Sequence, residues 1–358
     1  MRRLLAAFGL LAGLVGPAAA VDYAGFVEAG LTGFIRPATQ AFADTAADLA
    51  PAVRSVCAAP SETTRRTFAE VNSATIRALG RIGFLRFGPL AESHRLERLA
   101  FLPDPRGIGQ RQIRKLVADR DPSALDTAQL AAKSVAVQGL TALQIVAFDD
   151  AGAVVLGGDG EEAAFLCGYA AAITDNVGRI GAEVASGWAD PAGYSRTLLE
   201  PAPDAPVLRS PKDAAEQIFN ALVTGLIVVK DQDLLPALGK GVDSARANRI
   251  PFSRSGDGVA YLTAEIEGLH DAWLAAGYER DLDAEGAWIP ASLAFEFANA
   301  LKALAGVPAP VRRSMADPAT YDRLAYLVLV LNSLRDMMAL NLAGSLGMTG
   351  GFNALDGD

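Results

Sequence analysis

Apolar residues recur at every third or fourth position through one long segment of this chain after another, and alternation with period two is scarce. A three-to-four spacing paints one stripe along a helix and gives a sheet nothing to bury. Alanine and leucine, both strong helix formers, are abundant in the same segments. Helices are therefore expected over about 23–58, 61–84, 92–99, 109–117, 127–148, 160–187 and 191–199. After these come about 211–238, 258–276, 289–304 and 318–345. Start signals agree: Ser61 with Glu62, Asp126 before Thr127, Ser210-Pro211 and Asp317-Pro318 offer side-chain caps or a proline suited to a first turn. The fold class is all-α.

The strongest break is Pro201-Ala202-Pro203-Asp204-Ala205-Pro206, where closely spaced prolines stop helix continuation and stiffen the chain. Residues 201–207 read as a linker between an N-terminal bundle, 21–200, and a C-terminal bundle, 208–358. Each half has enough long helices for a bundle of long antiparallel helices; a single continuous α domain is the other reading. Residues 1–20 read as a secretory signal: Arg2 and Arg3, an apolar stretch from Leu4 to Val15, then Ala18-Ala19-Ala20 as the cleavage site. Cleavage after Ala20 leaves about 338 residues, ample for one large or two medium domains. It also lowers by two a formal charge that is already -9. An acidic chain is a poor general binder of nucleic acid or anionic lipid. The later apolar run from Leu324 to Leu331 is closed off by Asp322, Arg323, Arg335 and Asp336, so it reads as buried helix and no transmembrane segment is expected in the mature chain. Cys57 and Cys167 are an even pair; in an oxidising compartment this favours one disulfide.

Phe84 to Gly107 mixes Arg86, Arg95, Arg98 and Arg106 with Phe84, Phe87, Leu90, Leu96, Leu99 and Phe101. Guanidinium groups this close to aromatics point to arginines near the interior, each needing a carboxylate, a carbonyl or a bound anion. The Arg-Phe-Gly-Pro, Arg-Leu-Glu-Arg and Phe-x-Pro-Asp elements of this stretch resemble the imelysin (peptidase M75-like) family. Val137-Gln138-Gly139-Leu140, Ala142-Leu143 and the tail Gly351 to Asp358 extend the resemblance over nearly the whole mature chain.

The resemblance implies a two-bundle helical protein of the Gram-negative periplasm with a binding role in iron or other metal uptake. It further implies a partner such as an outer-membrane receptor or a periplasmic di-haem peroxidase, and iron or another divalent metal as bound ion. The family's Gly-x-His-x-x-Glu motif is the proposed metal site, since i and i+3 share a helix face. Here Gly139 to Gln144 matches it, with Thr141 in place of the histidine and Gln144 in place of the glutamate. A hydroxyl and an amide are poor replacements for imidazole and carboxylate. Gly83 stands where a further carboxylate is expected. By this alignment the metal site has lost its ligands.

His94 and Glu97 offer a substitute pair at i, i+3, although Arg95 and Arg98 flank it and disfavour a cation. No His-Glu-x-x-His is present, and the remaining histidine, His270, lies in an amphipathic helix. Arg86, Arg95 and Arg98, followed by Arg106, Arg111 and Arg114, are candidates for an anion site or for internal pairing with Glu92, Glu97, Asp104 and the acidic tail. Arg254, in Pro251 to Gly258, is a candidate facing the cleft between the halves, and Ser255 or Asp257 a candidate cap for the next helix. Phe352 and Leu355 make the tail too apolar for a solvated one, so it is expected to dock back. The functional expectation is a non-enzymatic binding component with ligand candidates Arg86, Arg95, Arg98, Thr141, Gln144 and Arg254. A metal-dependent peptidase using His94 and Glu97, and a periplasmic scaffold, are the alternatives.

Overall fold

The computed structural model describes residues 20–349. The expected leader, apart from Ala20, and the expected docking of the tail from Gly350 lie outside the described residues.

The described residues are mainly helical, and the only β pairing among them is an isolated bridge between Phe148 and Val154. The first rod runs through α1 (Tyr23–Gly30), a wider π turn (Leu31–Ile35) and α2 (Arg36–Ala58). After a short turn the chain returns as α3 (Glu62–Ile82). Short elements follow: α4 (Arg95–Leu99), α5 (Ile108–Asp119), α6 (Thr127–Ala131) and α7 (Leu140–Ala147). Then α8 (Glu161–Ala189) lies along α2, and α9 (Tyr194–Leu199) precedes the non-helical proline-rich segment. The second half opens with α10 (Pro211–Val228), which passes through a π turn (Val229–Leu234) into α11 (Leu235–Leu238). It continues with α12 (Gly258–Ala276), α13 (Ile289–Ala305) and α14 (Val311–Ser314). Last come α15 (Pro318–Asp336), a π turn (Met337–Leu342) and α16 (Ala343–Ser345).

The caps behave as their chemistry dictates. Ser61 and Ser210 each accept from the N3 amide, and Thr64 and Asp213 reach back to complete two capping boxes. Asp126 and Asp317 accept from Gln129 and Thr320 amides. One expected helix, 127–148, is interrupted. Ser134 turns the chain into a short 3₁₀ segment, and Gly139 presses so closely on the Arg98 and Leu99 carbonyls that no side chain fits there. Asp257 does stand at the start of α12, but its carboxylate bonds to Ser255 (2.7 Å) and to Asn72 of α3 (3.3 Å) rather than to the helix amides.

One continuous core joins elements from before and after the prolines. Cys57 of α2 and Cys167 of α8 form a disulfide, with Cα atoms 5.9 Å apart. Helices α3 and α12 meet backbone to backbone: a Cβ on Gly80 would sit 3.1 Å from Ala264 Cβ, and one on Gly268 would overlap Arg81. Helix α1 packs against α10 and α12, with Phe26 edge-on to Tyr278 (5.0 Å), which in turn meets Phe219 (5.5 Å). The arginine-rich stretch has a local reason for its Gly-Pro. Gly88 is left-handed (φ 59°), and a Cβ would come within 2.8 Å of Tyr194 and 2.9 Å of Trp188. Among the described residues one helix, Pro318–Ser345, is long and apolar enough to cross a membrane by length and composition. Its Leu324, Leu327, Val330 and Leu331 are buried and it packs against α13 and α10, while Tyr326 and Leu329 are exposed.

Candidate ligand-binding site

Two carboxylates stand on helix faces otherwise reserved for the core. Asp233 lies in the π turn after α10, one helical repeat beyond buried Val229 on a stripe that includes Leu222 and Leu226. It is 3 % exposed. Glu265 lies between Tyr261 and Leu269 on the inner stripe of α12 and is 6 % exposed, with one carboxyl oxygen lacking any hydrogen-bond partner. A π turn adds a residue to the helical circuit and is often found where a side chain must be aimed. Burial pushes the Asp233 carboxyl up to about 7, against the pull of the Arg86 guanidinium. Burial, and the neighbouring Asp233, push Glu265 well above the carboxylate range. Tyr261 is held up by burial and by the same two acids. Arg86 is thus the cation of this buried set, and its buried Nε has no hydrogen-bond partner.

Asp233 also borders a cleft of about 760 Å³, within the range of small-molecule sites. One wall comes from the first half: Phe101 to Arg114, Thr141 and Gln144. The other comes from the second: Asp231 to Pro236, Arg246 to Arg254, and Arg312. A second hollow of about 450 Å³ shares Arg114 and Arg254 with it.

The acids of the cleft are already engaged. Asp104 accepts from the amides of Ile108 (2.7 Å) and Gly109 (2.8 Å), Asp231 pairs with Lys230 (3.3 Å), and Asp233 is held near Arg86. Asp150 serves two arginines, Arg254 at 2.7 Å and Arg312 at 3.6 Å. In contrast, Arg106, Arg111, Arg114, Arg246 and Arg249 line the cleft without an ion pair among the described residues. The cleft is cationic in a chain whose formal charge is -9.

The sequence candidates separate into three groups. Arg254, Thr141 and Gln144 come together in the cleft. Thr141 accepts from the Phe101 amide (3.1 Å), whereas the side-chain oxygen of Gln144 is buried and unpartnered. Arg95 and Arg98 are used internally. Arg95 donates to the Pro89 carbonyl (2.7 Å) and pairs with Glu183 (3.1 Å) and Glu92 (3.2 Å). Arg98 donates to Gln138 (3.1 Å) and the Ala131 carbonyl (2.5 Å). Arg86 belongs to the buried acid set. His94 is exposed, with a left-handed backbone (φ 56°) just before α4, so the helical register that would align it with Glu97 starts one residue too late. Among the described residues no three His, Cys, Asp or Glu side chains gather as a metal site. Gly83 lies away from Thr141 and Gln144, beside Glu265 at a cavity of about 10 Å³. A hydroxyl already occupied by an amide, a neutral carboxamide and a surrounding excess of arginine do not fit the bare metal ion that the Gly-x-His-x-x-Glu resemblance implies.

The sequence reading missed Asp233, Glu265, Tyr261, Arg246, Arg249 and Arg312. A signal existed for the first two, because each acid interrupts an apolar stripe at three-to-four spacing.

The chain resembles two solved structures along almost their full length. An imelysin-like protein from Psychrobacter arcticum 273-4 superposes with a TM-score of 0.75 at 19% identity, covering 93% of this chain and 99% of that one. A putative iron-regulated protein A precursor from Parabacteroides distasonis ATCC 8503 gives a TM-score of 0.68 at 14% identity, covering 90% and 97%. No curated protein matches the chain. The family model of imelysin, peptidase M75, matches residues 35–338, and the chain belongs to the imelysin family.

Proposed function

We propose that this imelysin is an exported, periplasmic binding protein that captures a small anionic ligand in the cleft between its halves and serves iron or metal uptake. The observation that carries the reading is the cleft itself. Its acids are all engaged, its arginines are in excess, and the buried Gln144 oxygen awaits a donor. Such a lining favours a metal presented as an anionic chelate over a bare cation. The Cys57–Cys167 disulfide fits an oxidising compartment, and a solved structural neighbour carries the name of an iron-regulated precursor. Titration calorimetry of the purified mature protein with ferric citrate, haem, acidic oligosaccharides and bare Zn²⁺ tests it. Binding of an anionic member, weakened by Gln144→Leu, is expected. No heat from any of them refutes the reading.

A further inference from the structure

We propose that Arg254 and Arg312 form an anion anchor in the cleft, which takes a carboxylate or phosphate group of a small ligand that also carries hydrogen-bond donors. The inference rests on the cleft reading above and specifies which end of the ligand goes where. The two guanidinium groups come from distant parts of the chain, one from the loop before α12 and one from α14. Their side chains are only 14% and 25% exposed. Both reach the same Asp150 oxygen, and that carboxylate is 86% exposed. One well-solvated negative charge therefore faces two half-enclosed positive ones. Burial, and then the charge of Arg254, lower the Arg312 pKa against the opposing pull of Asp150.

Neighbouring groups add orientation. Ser253, itself buried, accepts from Arg312 Nε at 3.2 Å, which fixes the plane of that guanidinium. Its own hydroxyl proton remains available to an acceptor. Planar arginine forks match carboxylate and phosphate oxygens in bidentate geometry. Gln144 lines the same cleft, and its side-chain oxygen, buried without a partner, accepts only from a donor that reaches beneath the cleft surface. A hydroxy acid or a phosphorylated polyol meets both demands; a simple apolar acid meets one. Asp150 then acts as an exposed stand-in for the ligand's anionic group, displaced when the ligand arrives.

The test uses the whole mature protein, with citrate, inorganic phosphate and, as neutral control, glucose as probes in titration calorimetry at low salt. Wild-type protein is expected to bind citrate or phosphate but not glucose, and the stronger of the two identifies the end group. Arg254→Gln and Arg312→Gln should each weaken that binding about tenfold or more, the scale of a charge-assisted hydrogen bond. Asp150→Asn, at an exposed position that leaves the fold intact, should tighten it, because the competing carboxylate is gone. Unchanged affinity in both arginine variants, or no tightening in Asp150→Asn, overturns the anchor. So does failure of citrate and phosphate alike to bind. If haem or an acidic oligosaccharide still binds in that case, the cleft reading survives and only the anchor falls.

Discussion

Asp233→Asn should remove a pH dependence that wild-type stability carries. The folded carboxyl titrates at about 7 against an ordinary value of 3.8, a shift of roughly three units or about 4 kcal/mol at 1.36 kcal/mol per unit. Below pH ~4 the group is protonated in folded and unfolded chains alike and contributes nothing to the slope. Between pH ~4 and ~7 the unfolded chain gives up the proton while the folded one keeps it. Folding is then penalised by up to about 1.4 kcal/mol per pH unit, and the penalty is constant above pH ~7. Asparagine carries no proton and removes this term. Glu265 loses one of the two causes that hold it up, burial remaining, so its own contribution shrinks in the same direction. The measurement is urea unfolding of both proteins, disulfide intact, at pH 5, 6.5 and 8. The advantage of Asp233→Asn over wild type should grow by about 2–3 kcal/mol between pH 5 and pH 8, nearly all of it below pH ~7. Parallel stability curves for the two proteins would refute the argument that Asp233 enters the folded state with its proton held.

Other outcomes follow from the packing. Reduction of Cys57–Cys167, or its replacement by serines, opens a crosslink spanning 110 residues and should cost about 4–5 kcal/mol in urea unfolding; a loss under about 1 kcal/mol would show that the unfolded chain gains no freedom. Gly268→Ala drives a methyl into the Arg81 backbone and should cost about 1–3 kcal/mol. Gly344→Ala, with open space around it in a helix, should instead gain about 0.5–1 kcal/mol, and similar thermal shifts for the two would contradict the close contact of α3 and α12. Arg95→Ala should lower stability by about 1–3 kcal/mol, by stranding the Pro89 carbonyl and the Glu183 carboxylate, yet leave anion binding unchanged. A parallel loss of citrate or phosphate affinity would place Arg95 at the ligand.

The all-α fold and most helix positions were legible because the signals are local: caps at Ser61, Ser210, Asp126 and Asp317, and stripes of constant period. The break between α6 and α7 was not, since Gly139 is demanded by the backbone of α4, remote in sequence. The same holds for the site. A motif and a loop singled out Thr141, Gln144 and Arg254, which the fold places along one cleft. Arg312 was not, because only the fold brings it to the carboxylate that Arg254 also uses. Arg95 and Arg98 looked equivalent to Arg86 in a run of basic residues. Their different fates depend on partners 33 to 88 residues away, for which local spacing carries no information.

The docking of α1 has a consequence for how the chain is made and dissected. Its eight residues emerge well before their partners: Phe219 and Tyr278 follow Phe26 by roughly 190 and 250 residues. Tyr23 must also wait for the Leu346 carbonyl, to which it donates at 2.8 Å. Until then an apolar segment remains without cover. Cutting at the prolines would leave one fragment with a sticky, orphaned helix and the other with an open groove. Separately expressed halves should aggregate alone and recover only when mixed.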